Sequence, residues 1–203
     1  VPDHLFIKLC GLRTPEDVDT AVEVGADAIG FMFAESPRRV DASTVIRLME
    51  RIPPSVMTVG VFRDQPVDYI RSLANITGIR AIQLHGHEER GHFAALADGG
   101  WKLIRATSYR EPVPRNGRMG EDILLLDAPT PGAGVPWDWT RRAFRPPGGQ
   151  WLLAGGLTPD NVSRAVEITR PWGVDVSSGI ESVRGVKDSA LIRAFVKAVR
   201  AAS

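Results

Sequence analysis

The sequence predicts a closed (β/α)₈ barrel, the TIM-barrel architecture, as one catalytic domain spanning residues 1–203. Three observations lead there. Eight short apolar runs alternate with stretches of helical period. The runs are almost continuously apolar, as in strands buried on both faces and therefore paired in parallel. And 203 residues divide into eight units of about 25 residues, the short end for this fold.

In chain order, the strands are expected at 6–10, 28–33, 57–62, 81–85, 102–106, 123–127, 151–154 and 174–177. Helices are expected at 15–24, 43–51, 67–75, 88–97, 159–169 and 187–201. The first helix shows the logic. Thr14 supplies an N-cap, Pro15 takes the first helical position, and Val18, Ala21 and Val22 recur on one face. A weak repeat supports the alternation: GADAIGFMF (25–33), GIRAIQLHG (78–86) and GVDVSSG (173–179) each place a glycine after a helical stretch and a β-rich run behind it. The fifth unit is irregular, since 108–121 holds two prolines and two glycines and predicts no helix. RPPGGQ (145–150) reads as a turn, and no domain boundary is visible. The competing architecture is a doubly wound open sheet. That fold usually opens with a glycine-rich dinucleotide loop, whereas the first strand here ends in Gly11 alone.

Composition narrows the function classes. Lys plus Arg is 25 against 24 Asp plus Glu, a net charge of +1 that offers no broad footprint for nucleic acid or an anionic membrane. No apolar run reaches the length of a membrane span, and Asp3, His4 and Lys8 interrupt any signal-like apolar start, so a cytoplasmic protein is expected. Cys10 is the only cysteine, which excludes an internal disulfide and a cysteine-based zinc site. His85-x-His87 lacks further ligands at metal spacing, so no metal is expected. The remaining partner is a small anionic molecule in a local pocket, bound by a monomer or a homodimer.

In a barrel the C-terminal strand ends face the active site. Here they bring together Cys10, His85, Asp127, the Gly155–Gly156 turn and the turn holding Ser178 and Gly179. Glycines between a strand and a helix let backbone N–H groups approach a phosphate, and the two turns fall after strands seven and eight, where such barrels bind phosphate. Cys10 is either an inert buried thiol or a general base or nucleophile. Lys8 shares its strand face and needs an acid, for which Asp127 and Asp175 both qualify. Asp127, behind four aliphatic residues, is either that partner or a general acid. Arg38 is either a surface-loop residue or a guanidinium clamp for a carboxylate. Lys8, Asp175, Arg38 and His85 are the expected substrate-contacting side chains.

The motifs KLCG (8–11), SPRRV (36–40), VGVF (59–62), QLHG (83–86), LLLD (124–127), GAGVPWDW (132–139), LLAGGLTPDNV (152–162) and VDVSSGIE (174–181) with GVKD (185–188) resemble the phosphoribosylanthranilate isomerase family, in order and over nearly the whole chain. The resemblance implies a (β/α)₈ barrel of tryptophan biosynthesis that needs no metal or organic cofactor. Its reaction is the Amadori rearrangement of N-(5-phosphoribosyl)anthranilate to 1-(2-carboxyphenylamino)-1-deoxyribulose 5-phosphate. It implies Cys10 as general base, Asp127 as general acid, and Arg38 on the anthranilate carboxylate. His85 becomes a site residue, and Gly155, Gly156, Ser178 and Gly179 the phosphate turns. Ala133 departs from the family, which often carries a hydroxyl residue there. Rival readings fit less well: a metal-dependent pentose-phosphate epimerase needs several strand-end histidines, and the next enzyme of the pathway needs strand-end lysines. A non-catalytic phosphate-binding barrel has no use for both Cys10 and Asp127.

Overall fold

The computed structural model describes residues 4–109, 114–128 and 144–202. Eight strands close into a barrel in sequence order: β1 (Phe6–Cys10), β2 (Ala28–Met32), β3 (Met57–Phe62), β4 (Ala81–Leu84), β5 (Lys102–Ser108), β6 (Ile123–Asp127), β7 (Trp151–Leu153) and β8 (Gly173–Val176). Every neighbouring pair is parallel, and β1 pairs with β8 from Phe6↔Gly173 to Leu9↔Val176. That last pairing closes the cylinder and excludes the open doubly wound sheet.

Six α-helices pack outside among the described residues: α1 (Pro15–Glu23), α2 (Ala42–Met49), α3 (Val67–Thr77), α4 (Arg90–Leu96), α5 (Val162–Thr169) and α6 (Ser189–Ala201). The first begins as its sequence requires: Thr14 Oγ1 accepts the Asp17 N–H at 3.1 Å, and the Asp17 carboxylate returns a bond to the Thr14 N–H. Gly78, at φ +70°, ends α3 in the left-handed conformation.

Strand parity divides the core. Outward side chains such as Ile7, Leu9, Ile82, Leu84, Leu124 and Leu126 pack under the helices. Inward ones such as Ala28, Val59, Ala81, Ile123, Leu125 and Leu152 fill the barrel. The same parity carries Lys8 and Cys10 inward on β1, Gln83 on β4, Asp127 on β6 and Asp175 on β8.

Two boundaries move for identifiable reasons. The last helix was expected from 187 but starts at Ser189, capped by Asp188, which accepts the Leu191 N–H at 3.0 Å. The residues before it form a small antiparallel hairpin, β9 (Glu181–Val183) with β10 (Val186–Lys187), which periodicity did not foretell. Lys187 is drawn inward there instead of lying on a helix. Likewise α5 starts at Val162 instead of 159, after a turn in which Asn161 Oδ1 accepts the Thr158 N–H at 2.8 Å.

Candidate active site

The C-terminal mouth of the barrel holds an open cavity of about 90 Å³. Cys10, Arg38, His85, Asp127 and Asp175 line it with the Gly155–Gly156 turn and Ser178. This lining, a few convergent polar groups among apolar ones, suits a small ligand.

Cys10 ends β1 and is buried. Its strand neighbour is Gly30, and a Cβ added there would sit 2.8 Å from Sγ, so the glycine makes room for the sulfur. Burial pushes the thiol above its ordinary pKa. The Lys8 and Lys187 charges work against that shift, and Asp175 adds to it.

Lys8 pairs with Asp175, not Asp127: Nζ donates to Oδ1 at 2.6 Å. The register Lys8↔Asp175 puts the two side by side. Burial disfavours the ammonium, but Asp175 and Cys10 outweigh it and hold its pKa above the ordinary lysine value. Lys8 is fully buried beneath the cavity and does not line it, whereas Asp175 does.

Asp127 stands at the end of β6, free of any lysine. Its Oδ1 accepts the Ala128 N–H at 2.7 Å, and its Oδ2 lies 3.2 Å from His85 Nε2. The latter approach is close enough for charge interaction but is out of line for a hydrogen bond. Gly155, at φ +88°, turns directly over this carboxyl: a Cβ there would lie 2.4 Å from Ala128 N and 2.8 Å from Asp127 Oδ1. The amides of Gly155 and Gly156 make no hydrogen bond to a described residue. Gly179 interlocks this turn with the next, since its Cβ would fall 1.8 Å from the Leu157 carbonyl oxygen. A one-turn 3₁₀ segment, Ser178–Ile180, follows β8.

Arg38 is not a surface-loop residue. It is buried, and its fork grips Glu181, Nε to Oε1 at 2.6 Å and Nη2 to Oε2 at 2.9 Å. Glu181 also accepts Lys187 Nζ at 2.8 Å and the Gly185 N–H at 3.0 Å. Burial opposes the Glu181 carboxylate, but Arg38, the Gly185 amide and Lys187 prevail and hold its pKa down at about 2. Lys187 also donates to the Ser177 carbonyl at 2.8 Å, which ties the hairpin to the turn after β8. Glu181 and Lys187 were missed at the sequence level, because nothing local distinguishes a buried partner of Arg38 from a turn residue. Gln83 was missed too, although parity with His85, two residues on, places it on the inner wall.

Ala133 and the WDW segment (137–139) lie outside the described residues. Among the described residues no group of His, Cys, Asp and Glu could hold a metal ion, and no helix is long and apolar enough to cross a membrane.

The family model described as N-(5'phosphoribosyl)anthranilate (PRA) isomerase matches residues 7–198. The chain is 43% identical to the N-(5'-phosphoribosyl)anthranilate isomerase of Roseiflexus sp. (strain RS-1), over 97% of this chain and 98% of that one. Among solved structures it matches TrpF from Jonesia denitrificans with a TM-score of 0.88, at 44% identity over 98% of each chain. It also matches, with a TM-score of 0.79 and 33% identity over 97% and 99% of the two chains, a phosphoribosyl anthranilate isomerase in complex with reduced 1-(o-carboxyphenylamino)-1-deoxyribulose 5-phosphate. A parallel barrel whose mouth gathers a thiol, a carboxyl, a guanidinium and two glycine turns, matched end to end by these relatives, belongs to the N-(5'-phosphoribosyl)anthranilate isomerase family, aldose–ketose isomerases of tryptophan biosynthesis.

Proposed function

We propose that residues 1–203 act as one catalytic barrel that rearranges N-(5-phosphoribosyl)anthranilate, with Asp127 as general acid and Cys10 as general base. The observation that carries this reading is that both groups line one cavity beside the Gly155–Gly156 turn. Asp127 gives its proton to the furanose ring oxygen, the C1–O bond breaks, and the anthranilate nitrogen's lone pair forms an iminium at C1. Cys10, as thiolate, then takes the C2 proton, and that bond's electrons quench the iminium to an enolamine, which tautomerises to the ketone. The iminium charge favours the thiolate just when it is needed, which offsets the burial that raises the thiol.

The amides of Gly155 and Gly156, with the Ser178–Gly179 turn, receive the phosphate. Arg38 holds the carboxylate through the three N–H groups on Nη1 and Nη2 that remain after Nε and one Nη2 hydrogen go to Glu181. Anchored at both ends, the substrate presents its C1 and C2 to the acid and the base.

The test is the loss of anthranilate-adduct fluorescence on mixing enzyme with freshly made substrate. A prompt decay is expected; no decay at micromolar enzyme refutes the assignment. Glu181→Gln should raise KM about tenfold or more, the scale of a charge-assisted hydrogen bond, with kcat less affected. An unchanged KM would remove Arg38 and its partner from substrate binding. Gly179→Ala should drive the two turns apart, cost about 1–3 kcal/mol in a denaturant melt and raise KM.

A further inference from the structure

We propose that Gln83 is a positioning residue for the acid: it fixes His85 in the tautomer whose Nε2–H stabilises the Asp127 carboxylate left after proton transfer. Gln83 is buried on the inner face of β4, with its amide nitrogen 3.1 Å from His85 Nδ1. An amide NH₂ offers only hydrogens, so Nδ1 accepts, and the neutral ring's single proton sits on Nε2. That nitrogen is buried without a hydrogen-bond partner, 3.2 Å from Asp127 Oδ2. The other carboxyl oxygen already takes the Ala128 N–H. Once Asp127 has donated its proton, Oδ2 carries charge and the Nε2–H closes on it as a second donor. A donor aimed at Oδ2 acts where the charge develops, in the transition state of the transfer. The opposite tautomer would set a nitrogen lone pair against the carboxylate. Gln83 Oε1 is itself buried and unpartnered, a cost that a purely structural position would shed by carrying an apolar side chain.

Two measurements test this, and because the proposal rests on the acid role given to Asp127, the first needs no substrate. In ¹⁵N-histidine-labelled protein, at a pH where the ring is neutral, the His85 signal (assigned by its disappearance in His85→Asn) should show Nε2 protonated and Nδ1 bare. A ring protonated on Nδ1 overturns the proposal from the wild type alone. In Gln83→Leu the two tautomers should mix. The second measurement is a kinetic cycle. Gln83→Leu should lower kcat about 10- to 100-fold with little change in KM, and should cost nothing further in an Asp127→Asn background. An equal loss in both backgrounds overturns the proposal. A wild type that turns over no substrate refutes the assigned reaction instead, and the tautomer result stands apart from it.

Discussion

Asp127→Asn is expected to lower kcat by about 10²–10⁴-fold, the span over which a positioned proton donor acts, with KM nearly unchanged. The substitution preserves shape. Asn keeps an oxygen for the Ala128 N–H that Oδ1 accepts at 2.7 Å, and it leaves the Gly155 turn undisturbed above it. The transferable proton is lost, and the amide nitrogen takes the place of Oδ2 beside His85 Nε2. Because that proton acts in the transition state and not in binding, kcat and kcat/KM should fall together. Steady-state fluorescence kinetics decide the matter: a kcat within a few-fold of wild type would remove Asp127 from the acid role. Asp127→Ala is the poorer test, since it also opens a void beneath the glycine turn.

Cys10→Ser should be equally damaging, about 10²–10⁴-fold in kcat, because a hydroxyl holds its proton far more tightly than a thiol. The wild-type pH profile supplies a signature that a structural role for Cys10 would lack. The base works deprotonated, and burial holds the thiol above its ordinary value of about 8.5. Because Asp127 must keep its proton while Cys10 gives its own up, kcat/KM for the free enzyme should pass through a maximum, with an alkaline limb set by the thiol above that value. In Cys10→Ser this limb should vanish. A limb that survives the substitution belongs to another group, and Cys10 would not be the base.

Much of this was legible in the chain itself. The alternation of short apolar runs fixed eight strands, and β1, β3 and β6 have the bounds read from the sequence. Cys10 and Asp127 each end a strand, and in a barrel the C-terminal strand ends meet at one mouth, so the sequence alone places them together. The hairpin of Glu181–Lys187 was not legible. Its strands are too short to show a period, and its stability comes from burying Glu181 between Arg38 and Lys187, which are distant from each other in sequence. Helix starts at Val162 and Ser189 also escaped, because turn hydrogen bonds from Asn161 and Asp188 outcompeted helical continuation.

Residue order by itself determined the barrel and which chemical groups reach its C-terminal rim. Those properties follow from local geometry, which each segment carries wherever it is placed. Only the tertiary structure decided who pairs with whom: Asp175 rather than Asp127 for Lys8, Glu181 for Arg38, and Gln83 behind His85. The first two pairings join segments more than a hundred residues apart, set by the closure of β1 on β8 and by a loop docked under a hairpin. A buried charge takes whichever opposite group the fold brings within reach, and that distance is a property of the assembled cylinder.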